Sequence, residues 1–393
     1  RLIYKKELGR RLPTLKKDSL TCGVLYHDGT FDDARLALNL AQTCVENGGV
    51  TINYCKVISL VKNDSGQACG VNIVDNESGN LHEVKGKVII NSTGVFADDI
   101  IRMDNPGSKP SIRPSQGIHL ILGESFLQSK DSIMIPQTDD GRVLFAIPWY
   151  DKVIVGTTDT PLDTHSLEPR ALKSEVDFIL KTAGKYLTRQ PARKDVLSVF
   201  AGLRPLAATN DGTEKTKEIS RSHKVIFSDS SLISVIGGKW TTYRKMAEDT
   251  LDKIIKKNML PQKECVTMNL KIHGYSISDE RHDGLATYGS DEKELKELIA
   301  SKIEWSGALS SETSLILGQV IWAVRKEMAR TVEDVLARRM RVLFTDARLA
   351  ARLAPQVADI MMKELNQSEA WKENQIRAFS ELAKGYLLED ENI

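Results

Sequence analysis

The sequence predicts an α/β protein with a mixed sheet, a second and antiparallel sheet, and an all-α C-terminal domain. Three observations support this prediction. Runs rich in Val and Ile, separated by Gly, Asn and Ser clusters, recur between residues 50 and 236. One apolar run, 88–94, ends in a small polar turn, which is typical of a buried strand whose carboxyl end opens onto a crevice. From residue 291 onward only helical periodicity is found.

Composition excludes several classes of protein. The 393 residues suffice for two or three domains, and the 41% hydrophobic and 27% charged fractions are typical of a globular chain. A net charge of +1 provides no overall field for nucleic acid, so we expect no nucleic-acid partner. The five cysteines form no C-x-x-C pair, and the seven histidines lack ligand spacing, so we expect a reducing compartment and no metal site. No apolar run reaches the roughly eighteen residues that span a bilayer.

The N-terminal half alternates between helix and strand signals. Basic residues dominate the first twenty positions, which predicts a solvated segment, with a membrane-surface patch as the alternative. Apolar residues at helical spacing predict a helix from Asp32 to Asn47, stopped by Gly48 and Gly49. Turn clusters then separate the strands of a small meander, namely 50–62, 68–75 and 81–91.

Further strands precede the helical domain. They are predicted at 117–122, 142–147, 153–157, 196–204, 223–228 and 231–236, with a helix at 170–187. A helix at 240–256 is followed by irregular chain over 257–290. The C-terminal helices are predicted at 291–300, 313–328, 331–341, 347–365 and 369–387, and Thr331 with Asp334 suggests a capping box at the third.

Glycine spacing gives both a negative and a positive signal. No two of the 26 glycines lie two positions apart, so neither G-x-G-x-x-G nor a P-loop is present. In contrast, a strand that ends at Gly237 and Gly238, followed by Lys239 and a helix, predicts a bend that suits an anionic or planar ligand. An ordinary strand-to-helix turn remains the alternative.

Three further kinds of side chain are candidates for chemistry. Arg204 and Arg221 lie near strand ends, where guanidinium groups could grip a phosphate, although surface ion pairs are the alternative. His119 alternates with Ile118 and Leu120, so its imidazole faces away from them and could accept a proton; a structural histidine is the alternative. Strand-end hydroxyls that could bond a substrate are those of Thr157 and Thr158.

Eight stretches are most informative when they are read together. They are YHDGTFDDARL (26–36), NSTGVFAD (91–98), RPSQGIHLIL (113–122), IPWYDKVIVGTTDT (147–160), AGLRPL (201–206), ISRSH (219–223), GGKWTTYRKMAED (237–249) and VIWAVRKEMARTVEDVLARR (320–339). Their content and order resemble the flavin-dependent glycerol-3-phosphate dehydrogenase family, within the amine and hydroxy-acid flavoprotein oxidoreductases. The helical C-terminal stretch separates this family from the amino-acid oxidases.

The resemblance implies a role for each candidate residue. His119 would be the acid/base, Arg204 and Arg221 the phosphate clamp, and Lys239 with Thr157 or Thr158 the rest of a polar wall. The residues that border the flavin ring would be Gly237, Gly238, Trp240, Thr241 and Thr242, and those along the dinucleotide would be Thr93 and Gly94. The implied domains are a partial FAD-binding domain (1–108 and 230–257), a substrate-binding domain (109–229), a linker (258–290) and a helical domain (291–393).

The implied activity is oxidation of sn-glycerol 3-phosphate by FAD, with quinone as the final acceptor. The alternatives are an oxidase that passes electrons to oxygen, and an inactive fragment, because the family's N-terminal strand, G-x-G-x-x-G turn and helix have no counterpart in the sequence. The expected location is cytoplasmic, with docking on the inner face of the membrane and homodimer formation left open.

Overall fold

The N-terminal segment folds as a strand, a helix and a strand. A computed structural model describes residues 1–18, 20–136, 138, 141–208, 222–277 and 284–388. In it, β1 (Leu2–Tyr4) pairs antiparallel with β2 (Cys22–Val24), and α1 (Lys5–Arg11) lies between them. Most of the basic side chains are exposed, as expected of a solvated segment, but Leu8, Leu12 and Leu15 join the core. The sequence prediction missed these three elements.

The second helix agrees with its prediction. α2 (Asp33–Glu46) begins where the Asp32 side chain accepts a hydrogen bond from the Arg35 N–H at 2.9 Å, and it is followed by Gly48 with a φ of +81°. The predicted meander follows as β3 (Cys55–Lys62), β4 (Ala68–Asp75) and β5 (Leu81–Lys85), paired antiparallel in that order.

The predicted third strand of the meander is divided between two sheets. β5 ends at Lys85, and β6 (Ile90–Asn91) belongs to another sheet that contains strands from much later in the chain. β6 is a two-residue strand at the edge of that sheet, and Ile90 is 41% exposed, so the expectation of a buried strand here is wrong. A 3-10 turn and α3 (Ala97–Asp104) follow β6.

A six-stranded antiparallel sheet forms the middle of the molecule. Its strands are β7 (Ile112–Gly123), β8 (Ile133–Ile135), β9 (Leu144–Trp149), β10 (Lys152–Gly156), β11 (Thr160–Pro161) and β12 (Val196–Ala207). β7 lies at the centre, with β12 along one side and β10 and β11 along the other. α4 (Lys173–Tyr186) contributes Val176 and Ile179 to the same core as Ile118 and Leu120 of β7.

The mixed sheet is completed by two late strands. β13 (His223–Phe227) pairs antiparallel with β14 (Ile233–Gly237), and β14 pairs parallel with β6 through Ser234 opposite Asn91. A 3-10 turn at Trp240–Thr242 then leads into α5 (Tyr243–Lys256). Because parallel strands end at the same edge of a sheet, the turns after β6 and β14 are brought together.

The C-terminal part is helical, as predicted. Its helices are α6 (Glu292–Ala300), α7 (Leu317–Lys326), a π-helix (Asp334–Arg339), α8 (Val342–Thr345), α9 (Ala347–Glu364) and α10 (Glu369–Lys384). Asp334 N–H donates to the Thr331 hydroxyl and Thr331 N–H to the Asp334 carboxylate, each at 3.1 Å, so the capping box is confirmed. The element after it is π-helical, with Met340 N–H bonded to Val335 O at 2.9 Å. None of the helices in the described ranges is both long and apolar enough to cross a membrane.

Ion pairs, some of them buried, join α2 to the helical part. The Arg35 guanidinium contacts Glu327, which also accepts a hydrogen bond from the Trp322 indole at 3.0 Å. Arg341, with 9% of its side chain exposed, lies 3.2 Å from Asp32 and 2.9 Å from Asp33. These charges fix the helical part against the start of α2.

Candidate active site

His119 lies at the centre of β7, on the face predicted by alternation. Ile118 and Leu120 are buried in the core, whereas the His119 ring points the other way and stacks on Phe200 of β12, with ring centroids 5.4 Å apart and an angle of 24°. On the β10 side, Gly156 stands opposite His119, and a Cβ there would lie only 2.2 Å from the imidazole Cδ2. The imidazole is therefore confined between a bare backbone and an aromatic ring.

The surroundings of His119 favour its neutral form. Burial, and after it the positive charge of Arg204, lower the pKa of His119 to about 4. At neutral pH the imidazole is therefore uncharged and can accept a proton.

Arg204 lies in β12 and is held on the turn that follows β10. Its guanidinium donates to the Thr157 hydroxyl at 3.2 Å and to the Thr158 carbonyl at 3.0 Å, and it lies 3.3 Å from the Asp159 carboxylate. A Cβ at Gly117 would come within 2.3 Å of the guanidinium, so the chain needs glycine at this point. Since residues two apart share a face of a strand, Arg204 approaches the face of β7 that carries His119.

Two carboxylates that the sequence analysis missed support this turn. The buried Glu175 of α4 accepts from the hydroxyls of Thr158 at 2.7 Å and Thr160 at 2.6 Å, and from the Gln116 amide at 2.8 Å. Asp159 accepts from the Ser115 hydroxyl as well as from Arg204. A carboxylate within an amphipathic helix or next to a strand end gives no sequence signal of such a role.

The two threonines of this turn differ in their surroundings. Thr158 is buried, and its hydroxyl donates to Glu175 and accepts from the Ile118 N–H at 3.1 Å. Thr157 is half-buried and faces Arg204. The structure therefore favours Thr157 over Thr158 as a side chain of the site. The peptide bond between Gly156 and Thr157 is cis.

The predicted cofactor residues gather at one edge of the mixed sheet. Thr93 and Gly94 follow β6, and Gly237 and Gly238 end or follow the neighbouring parallel β14. Gly94, Gly237 and Gly238 have φ values of +61°, +71° and +82°, which side chains disfavour. A Cβ on Gly94 would meet no described atom within 4 Å, whereas one on Gly238 would lie 2.5 Å from Met246.

The residues after Gly238 are accessible. Lys239, Trp240, Thr241 and Thr242 are all exposed at the start of α5. The edge of the mixed sheet also adjoins the end of β12, because a Cβ at Gly237 would contact Ala207 at 3.4 Å. Ala207 is three positions after Arg204, or about 10 Å along a strand. Arg221, the second predicted guanidinium, lies outside the described residues.

This arrangement fits a flat dinucleotide cofactor. The open side of Gly94 and the left-handed backbone at Gly237 and Gly238 leave the main chain accessible at two adjacent strand ends, where a ring system and a phosphate chain can lie. Within the part of the chain that is described, no cluster of three or more His, Cys, Asp or Glu side chains could hold a metal ion.

Family comparisons agree with this fold and site. Residues 1–244 match the model of the FAD dependent oxidoreductase family, and residues 230–372 match that of the C-terminal domain of alpha-glycerophosphate oxidase. The chain therefore belongs to the FAD-dependent oxidoreductases, whose cofactor is FAD. Several of the proteins to which it is similar are glycerol-3-phosphate dehydrogenases.

Three relatives illustrate the similarity. The mitochondrial glycerol-3-phosphate dehydrogenase of Mus musculus is 34% identical, over 95% of this chain and 55% of its own length. The mitochondrial enzyme of Schizosaccharomyces pombe is 33% identical, over 94% of this chain and 66% of its own. The glycerol-3-phosphate dehydrogenase of Bacillus halodurans, solved with FAD, superposes with a TM-score of 0.85 at 28% identity, covering 99% of this chain and 81% of that one. This chain thus spans little more than half of the mouse protein.

Proposed function

We propose that the protein oxidises sn-glycerol 3-phosphate to dihydroxyacetone phosphate. The observation that supports this most directly is a neutral imidazole, His119 of β7, on the same face of the sheet as the guanidinium of Arg204 in β12. A hydroxyl that is to be oxidised must lose a proton, and a phosphate must be held by a cation. The site offers one group for each task.

His119 acts as the base of this reaction. Its neutral imidazole accepts the proton of the C2 hydroxyl, and its confinement between Gly156 and Phe200 restricts where that hydroxyl can lie. FAD, when bound, supplies the acceptor for the hydride that leaves C2, so two electrons and two hydrogens are removed in total.

Arg204 acts by holding the phosphate. Its contacts to Thr157, Thr158 and Asp159 fix the guanidinium plane before substrate arrives, and a fixed guanidinium can bind a phosphate oxygen through charge-assisted hydrogen bonds. Arg221 and the exposed Lys239 complete the phosphate site in this proposal. Binding energy at the phosphate is thereby used to align C2.

The test is anaerobic reduction of the flavin-loaded protein by sn-glycerol 3-phosphate. We expect bleaching of the visible flavin band; a band that stays unchanged at saturating substrate would contradict the proposal. His119→Ala should slow reduction by about 10² to 10⁴-fold with the flavin still bound, because a general base contributes about that much. The matched control is His82→Ala on the exposed face of β5, which should reduce at the normal rate.

Arg204→Ala tests the phosphate site. We expect KM to rise by about tenfold to hundredfold, with a smaller fall in kcat, because hydrogen bonds to a charged group contribute about 1.5–3 kcal/mol each. Arg102→Ala, at an exposed position of α3, is the control. Unchanged kinetics of Arg204→Ala would remove Arg204 from the site.

The electron acceptor is a separate part of the proposal. We favour a quinone, reached by docking of a cytoplasmic protein, alone or as a homodimer, on the inner face of the membrane. The match of residues 230–372 to an oxidase C-terminal domain supports oxygen as the second candidate. Quinone-analogue reduction measured beside peroxide release decides between the two acceptors, and flotation with lipid vesicles and sedimentation test the docking and the dimer.

A further inference from the structure

The strand that carries Arg204 and Phe200 is fixed to the helical part of the chain. The Ser198 hydroxyl of β12 donates to the Leu343 carbonyl at 2.8 Å, and the Val199 N–H donates to the Tyr386 carbonyl at 2.9 Å. Leu343 lies in α8 and Tyr386 follows α10, so both acceptors are far along the chain from β12. The helical part therefore supports the candidate site directly.

A series of aromatic rings continues this contact as far as His119. Phe200 stacks on His119, and the edge of Phe344 in α8 meets Phe200 with centroids 4.9 Å apart at 78°. Phe344 meets Tyr386 at 5.5 Å and 84°, and the Arg341 guanidinium lies 4.4 Å from its ring centroid. Edge-to-face pairs of this kind contribute about 0.5–1.5 kcal/mol each beyond their buried area.

The aromatic series helps to set the position of the His119 imidazole. The backbone at Gly156 occupies one side of the His119 ring, and Phe200 stacks on the ring. Phe344 packs edge-on against Phe200 and so supports its position, and Phe344 itself belongs to α8 and lies against the Arg341 cation. The position of the imidazole thus depends on a residue that does not touch it.

We propose that Phe344 is a positioning residue for His119 and acts through Phe200. This inference rests on the proposed function, in which the imidazole must lie within hydrogen-bond reach of the substrate hydroxyl. A displacement of about 1 Å in such a group can reduce a rate by about a hundredfold. The helical part therefore contributes to the chemistry of the site as well as to stability.

The experiment compares Phe344→Leu with Phe379→Leu in the flavin-loaded protein. Both variants remove a ring from the same hydrophobic cluster, but Phe379 lies in α10, outside the series. For Phe344→Leu we expect flavin reduction to slow by about tenfold to hundredfold with KM within about twofold. We also expect the NMR signals of the His119 ring to shift. Phe379→Leu should lose similar stability while both readouts stay at their wild-type values.

The outcomes separate this inference from the proposed function. If wild-type protein is not reduced by sn-glycerol 3-phosphate, the proposed function fails, and the His119 NMR comparison still decides whether Phe344 positions the ring. Equal rates and equal His119 signals in Phe344→Leu and Phe379→Leu would overturn the inference. Should Phe344→Leu fail to fold, Phe344→Met, whose flexible unbranched side chain fills an irregular space more readily, takes its place with the same expected changes.

Discussion

Lowering the pH from 7 to 5 should leave His119 almost unprotonated. Burial and the charge of Arg204 lower the pKa of its imidazole from 6.5 to about 4. At pH 5, about 10% of His119 would carry a proton, compared with about 97% of an ordinary histidine. The base of the proposed reaction therefore stays available in mild acid.

The same shift links the stability of the protein to pH. Between pH 6.5 and pH 4 the unfolded chain binds a proton at this residue and the folded chain does not, so the free energy of unfolding falls as the pH falls. The difference between the two pKa values corresponds to about 3 kcal/mol, present in full above pH 6.5 and lost as the pH approaches 4.

Histidine-selective NMR measures this titration directly. The His119 signal is assigned by its loss in His119→Gln, and the signal of the exposed His82 is recorded in the same spectra as a reference. Arg204→Gln should raise the His119 midpoint, because it removes a positive charge, but burial should keep it below 6.5. A wild-type midpoint near 6.5, or a lower midpoint in Arg204→Gln, would refute the reasoning.

Three further substitutions test the supports of the site. Gly117→Ala should push the guanidinium of Arg204 aside and raise KM by about tenfold, since the new methyl would lie 2.3 Å from a guanidinium nitrogen. Glu175→Gln should lower the free energy of unfolding by about 1–3 kcal/mol, seen as a lower Tm, because an amide replaces an oxygen acceptor with a donor in a buried network. Glu327→Ala should destabilise by about 3–5 kcal/mol in thermal unfolding, because Arg35 stays buried without its partner.

Each of these three substitutions has a control variant or a result that would contradict it. Gly123→Ala, whose methyl would meet Ser125 only at 3.9 Å, should leave KM unchanged. Glu373→Gln, at an exposed position of α10, should leave Tm unchanged. A Glu327→Ala protein as stable as wild type would show that the buried ion pair is not needed for the attachment of α2.

Periodicity accounts for most of what the sequence predicted. Alternation along β7 was enough to orient His119, and paired glycines after an apolar run identified the bend at the end of β14. In the N-terminal segment, the spacing of Leu8 and Leu12 by four was a helical signal that the surrounding basic residues obscured. The exposure of Ile90 could not be read locally, because strand order in a sheet depends on partners far along the chain.

The supporting residues of the site lay beyond any local pattern. Asp159 and Glu175 act through hydrogen bonds to Arg204 and Thr158, and these contacts exist only once β12, α4 and the turn after β10 are packed. Phe344 is a still more distant case, since its link to His119 runs across the boundary between sheet and helices. Long-range packing of this kind leaves no periodic signature in one sequence.

The parallel pair of β6 and β14 also constrains the order in which the chain can fold. Asn91 and Ser234 hydrogen-bond to each other across 143 residues, at 3.1 Å. Closing so long a loop from a disordered chain carries an entropic cost that compaction of the intervening antiparallel strands would reduce beforehand. The turns after β6 and β14, which form the predicted cofactor site, should therefore come together late in folding. In pulse-labelling experiments, the backbone amides of β7 and β12 should gain protection from hydrogen exchange before those of β6.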